Sequence, residues 1–124
     1  AEKVTRVLEA LRKEPHVPPT VKDLESLLKI GPAIGEILSL LVQQEALVKV
    51  SVDLYYPLES LRAMEERTRA FFADHEEMRV SDLKDLFGLS RRHSIPVFEY
   101  FDRIGVTRRM GDVRLAGRLL TPRN

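Results

Sequence analysis

A ten-residue pattern in this chain returns 59 positions downstream, and a 124-residue chain made of two copies of a unit of about 60 residues has few folds open to it. Val21, Asp23, Leu24 and Leu27 are matched by Val80, Asp82, Leu83 and Leu86, and the segments that follow track each other in order. What comes directly after the shared core differs: Gly31-Pro32-Ala33-Ile34 in the first copy, Ser90-Arg91-Arg92-His93 in the second. One fold is therefore expected twice, each copy only marginally stable alone, with the ligand surface in the second.

Val4, Val7, Leu8 and Leu11 recur at helical spacing, which predicts an amphipathic helix over 3–14, ending before Pro15. Thr20 as N-cap with Asp23 three residues later resembles a capping box and opens a short helix through Leu24, Leu27 and Leu28. Gly31-Pro32 closes it and starts a third, Pro32 taking the first helical position, through Ile34, Ile37, Leu38 and Leu41. Residues 46–50 and 52–56 have strand composition and are close enough to pair. The second copy repeats the order. Helices are predicted over 58–75, 81–87 and from Ser90 or Ser94 to Ile104, with Gly105 as the helix stop. Strands at 106–110 and 113–115 then flank the two-residue turn Gly111-Asp112. Three helices and a hairpin make a helix-turn-helix with a wing. The fold class read from the sequence is α+β, mainly α: two tandem winged-helix domains, residues 1–58 and 59–124.

The charge is uneven. Residues 1–60 hold 7 Lys/Arg against 9 Asp/Glu, whereas 79–124 hold 10 against 5, and nine of those ten cations are Arg. Arg suits planar, bidentate contact with phosphate and stacking on bases, so the bias points to nucleic acid; a solvated basic face is the other reading. No apolar run reaches the roughly 20 residues that span a bilayer. The absence of cysteine removes disulfides and thiolate metal sites and agrees with a reducing cytoplasm. The chain starts without Met or a signal-peptide pattern and is expected to be a piece of a longer protein.

Arg91 and Arg92 in the first turn of the third helix oppose the helix macrodipole, an arrangement a phosphate at that helix end would reverse by accepting from backbone N–H groups and both guanidiniums. Ser90 is the expected N-cap, and His93 beside the arginine pair is a candidate for phosphate or base. Glu99 and Asp102 further along should repel a phosphate backbone, which confines contact to the amino end and favours RNA, whose A-form major groove closes to side chains. In the predicted hairpin Arg109 opposes Arg114; like charges facing each other destabilise a ribbon unless an anion joins them, so both are candidate wing contacts, with Arg108 and Arg118 nearby. Arg79, Ser81 and Lys84 around the short helix complete the candidate set. The first copy offers only Lys49 in its hairpin and reads as a spacer, with Tyr55 and Tyr56 as core or junction residues rather than base-stacking platforms. No catalytic residue and no cofactor are expected: His16, His75 and His93 lack metal-site spacing, no glycine-rich phosphate loop is present, and Ser90 with His93 reads as a cap and a surface or interface histidine. Pro96 inside the third helix should bend or restart it.

Over roughly 79–115, including Val80-Ser81-Asp82-Leu83-Lys84-Asp85-Leu86-Phe87-Gly88-Leu89-Ser90-Arg91-Arg92-His93 and the run Ile95 to Arg109, the sequence closely resembles the carboxy-terminal end of bacterial selenocysteine-specific elongation factors; residues 1–78 are compatible. The resemblance implies winged-helix domains, the last of which binds the mRNA hairpin that marks a UGA codon for selenocysteine. It places Arg91, Arg92 and the wing arginines at or near that hairpin, and implies the ribosome and the GTPase body of the parent factor as further partners. That body is absent, so no GTP turnover is expected of this monomeric piece. A double-stranded DNA regulator and a protein-interaction scaffold of tandem winged helices remain as alternatives.

Overall fold

The computed structural model describes residues 2–121. The chain divides into two compact units, Ala1–Leu61 and Arg62–Asn124. The division lies three residues beyond the junction placed at 58/59, inside a single helix.

In the first unit, helix α1 spans Glu2–Arg12, α2 Val21–Leu28 and α3 Ala33–Gln43, followed by strands β1, Leu47–Ser51, and β2, Leu54–Pro57. Helix α1 stops at Arg12, two residues earlier than expected. The Thr20 hydroxyl accepts from the Asp23 amide at 3.1 Å and the Asp23 carboxylate accepts from the Thr20 amide at 3.1 Å, so the capping box forms as read. Pro32 occupies the N-cap rather than the first helical position. Val7, Leu11, Leu24, Ile34, Ile37, Leu38, Leu41 and Leu47 form the core. The strands pair antiparallel with Val48 opposite Tyr56 and an irregularity between Lys49 and Ser51, which moves Val52 out of the strand into an exposed turn. That turn is tied inward: the Val21 amide donates to the Asp53 carbonyl at 2.9 Å and the Lys22 amide to the Asp53 carboxylate at 3.3 Å.

Tyr56 is fully buried and its hydroxyl donates to the His16 carbonyl at 2.7 Å, which makes it a core residue. Burial pushes its pKa well above the ordinary tyrosine value. Its folded pKa being raised, the associated stability is complete below about pH 10, the unfolded value, and is lost as pH rises beyond it. Alkaline unfolding monitored by circular dichroism should therefore fall more steeply above about pH 10 for the native chain than for Tyr56→Phe, which at neutral pH should lose about 1 kcal/mol for the missing hydrogen bond.

In the second unit, helix α4 spans Leu58–Asp74 and crosses the division; α5 spans Val80–Phe87, α6 Arg91–Ile104, and strands β3, Thr107–Met110, and β4, Val113–Ala116, form the hairpin. Met78, just before α5, joins β4 by reciprocal 2.8 Å hydrogen bonds with Arg114, adding a third short rung to the sheet. Met78, Leu83, Phe87, Leu89, Val97, Phe98, Phe101 and Val106 are buried. This unit is a winged helix. Helix α6 runs unbroken through Pro96, where a bend or restart was expected. Fully buried Val97, Phe98 and Phe101 hold the later turns to the core, and the Ser94 hydroxyl donates to the Ser90 carbonyl at 2.9 Å across the first turn. Among the described residues no helix is long and apolar enough to cross a membrane, and no group of His, Asp and Glu is arranged to hold a metal.

Candidate nucleic-acid interface

The turn between α5 and α6 sets the amino end of α6. Gly88 takes the left-handed conformation at φ 66°, letting its amide and that of Leu89 both donate to the Lys84 carbonyl, at 2.7 and 3.2 Å. Leu89 is buried and anchors the turn. Ser90 has the extended backbone of an N-cap, but its side chain does not cap the helix: the hydroxyl lies 2.6 Å from His93 Nδ1. The expected Ser90 cap is corrected on this point, because the imidazole three residues on competes successfully for the hydroxyl. His93 itself is buried, 4% exposed, which corrects its reading as a phosphate or base contact. Ser90 and His93 thus stiffen the helix start, while Arg91 and Arg92 stand exposed upon it.

The wing forms in the register the sequence predicts, with Met110 opposite Val113 and Arg109 opposite Arg114, and with Gly111 at φ 62° in the turn. The two arginines nevertheless do not confront an external anion together. Arg114 is 6% exposed, its guanidinium reaching the Asp102 carboxylate on α6 at 2.9 and 3.3 Å and lying over the Phe98 ring at 4.5 Å from the centroid. The Thr107 hydroxyl adds a 2.7 Å bond to the same carboxylate. Arg114 as a wing contact is therefore corrected: an internal carboxylate, not a ligand, relieves the repulsion. Asp102 is corrected in the same stroke, since a carboxylate shared by Arg114 and Thr107 no longer repels phosphate as a free charge would. Arg109 stays exposed near the wing tip, its Nε donating to the Gly111 carbonyl at 3.3 Å.

The remaining candidates scatter. Arg79 is exposed, with its guanidinium 3.8 Å from Glu77 and its amide donating to Asp82 at 2.8 Å. Ser81 is exposed on α5 and Lys84 half-buried. Arg108, opposite Leu115, lies on the other sheet face from Arg109. Together with Arg118, which follows β4, and with Arg103 in the last turn of α6, Arg108 lines a shallow cavity of about 270 Å³. Arg103 was not among the sequence candidates; beside Asp102 and at a helix carboxyl end it reads as dipole compensation. With 1.5 Å rise per residue, Arg103 stands about 18 Å along α6 from Arg91.

Three helices, a bridging segment and a two-stranded ribbon, with arginines displayed at the start of the third helix and on the ribbon, define a basic-faced winged-helix protein. Residues 70–116 match the winged-helix family of elongation factor SelB. A selenocysteine-specific elongation factor from Desulfomicrobium baculatum is 36% identical over 99 residues, covering 79% of this chain and 16% of that protein. The chain thus spans about a sixth of that relative's length. Among solved structures, the mRNA-binding domain of SelB from E. coli in complex with SECIS RNA superposes with a TM-score of 0.77 at 26% identity, covering 94% of this chain and 98% of that one. A bacterial selenocysteine-specific elongation factor, EF-Sec, shares the fold with a TM-score of 0.71 at 24% identity, covering 95% of this chain and 19% of that one. The chain belongs to the SelB family, in the region of its carboxy-terminal winged helices.

Proposed function

We propose that this chain is the RNA-binding arm of a selenocysteine-specific elongation factor, holding an mRNA stem-loop of the selenocysteine insertion type so that the factor is tethered near a UGA codon. The second winged helix supplies the grip and the first unit, a winged helix of the same descent, serves as spacer; neither carries catalysis or a cofactor. The observation that carries this reading is the pair Arg91 and Arg92, exposed on a helix start whose own serine is engaged elsewhere. Backbone amides at such an end and two adjacent guanidiniums can share one phosphate. Arg109 at the wing tip extends the contact, and an unpaired loop base supplies sequence discrimination.

Competition decides between nucleic acids. A labelled RNA stem-loop bound to the chain at about 0.15 M salt should be displaced by its unlabelled counterpart and not by duplex DNA of matched length. Equal displacement by both would transfer the protein to the class of double-stranded DNA binders, and failure to retain RNA at that salt would favour an acidic protein partner.

A further inference from the structure

We infer that the cavity between Arg103, Arg108 and Arg118 is a second phosphate site, which takes a phosphodiester of nucleic acid at the opposite end of α6 from Arg91 and Arg92; the inference rests on the RNA-binding reading above. Its three arginines come from three places in the chain, the last turn of α6, strand β3 and the turn beyond β4, yet they border one cavity of about 270 Å³, with the Arg103 guanidinium also lying over the Tyr100 ring at 5.5 Å from its centroid. The carboxylate in that lining, Asp102, is already engaged by Arg114 and Thr107. Among the described residues neither Arg108 nor Arg118 forms an ion pair with a carboxylate.

The backbone is shaped to admit this arrangement. Gly105 ends α6 at φ 86°, and a Cβ there would come within 3.1 Å of Arg118 Cγ and Nε, so the arginine lies against the bare helix end. A Cβ on Gly117 would run into the Gly105 carbonyl oxygen. Bare backbone at both positions lets the segment carrying Arg118 close over the end of α6. The planar forks of Arg108 and Arg118 suit the two non-bridging oxygens of a phosphodiester, which guanidiniums bind in bidentate fashion.

One phosphate cannot serve both ends of α6. The two ends stand about 18 Å apart, farther than a single phosphate can reach. The second phosphate therefore belongs either to the stem below the loop held at Arg91 and Arg92 or to another RNA strand.

The test uses the whole chain, filter binding across a salt series, and two hairpins with one loop, on stems of about four and about ten base pairs. Arg108→Ala/Arg118→Ala should bind the short hairpin like the native chain, but lose about two units of salt slope and on the order of tenfold or more in affinity for the long one. If the phosphate comes from another strand, the native chain should instead take up a second RNA per protein that the variant does not. Arg108→Gln/Arg118→Gln, which keeps the aliphatic stems, should behave likewise and rules out misfolding as the cause. Unchanged slope, affinity and stoichiometry on both hairpins overturns the second site, and does so alone if Arg91→Ala/Arg92→Ala still weakens binding. A native chain that retains neither hairpin overturns both readings.

Discussion

Replacing Arg91 and Arg92 together by alanine should lower the affinity for an RNA stem-loop by tens-fold at about 0.15 M salt and reduce the slope of log K against log salt by about two units. The expectation follows from location. Both side chains are exposed at the first turn of α6, where the Ser90 hydroxyl is turned to His93 rather than to the helix amides. In the free protein these cations oppose the helix macrodipole, so Arg91→Ala on its own should leave the thermal midpoint unchanged or raise stability by a few tenths of a kcal/mol. Weaker binding with undiminished stability is the signature of a ligand contact. Filter binding over a salt series and a melting curve on the same preparation read both quantities, and a variant whose slope and affinity match the native chain would remove this helix end from the interface.

Asp102→Ala should be among the most damaging single substitutions in the second unit. Arg114 is nearly enclosed, with Asp102 and the Phe98 face around it. Removing the carboxylate leaves a buried guanidinium without its counter-ion, a change that costs about 3–5 kcal/mol, a large part of the stability of a unit of this size. It also strips the Thr107 hydroxyl of its acceptor at the start of the wing. Replacing both partners, as in Asp102→Leu/Arg114→Met, should recover most of the loss, because buried ion pairs are often matched by apolar residues of similar volume. Urea unfolding of the single and double variants measures the difference. Equal midpoints for Asp102→Ala and the native chain would show that the pair does not hold the wing to α6.

Local features were legible from residues alone and cross-element partnerships were not. The Thr20–Asp23 box, the left-handed Gly105 and the Gly111-Asp112 hairpin each involve residues at most a few positions apart, with their own backbone preferences. The opposition of Arg109 and Arg114 followed from the turn length, but the outcome depended on Asp102, twelve residues away on another element. Sequence patterning has no means to find that partner. The burial of His93 escapes the sequence for a related reason: the two arginines before it suggest water, while the helical face it shares with Val97 points inward. Arg103 escaped notice because a cation in a last helical turn already has a local explanation, and only the approach of Arg108 and Arg118 gives it a second one.

The inward tie of the Val52-Asp53 turn in the first unit has, among the described residues, no counterpart at the ribbon tip of the second. The first unit spends its ribbon tip on anchoring its own second helix, so side-chain novelty there meets a structural veto. The other leaves Arg109, Met110 and Gly111 projecting into water, where amino-acid exchange is tolerated and recognition can be tried out without jeopardising the scaffold.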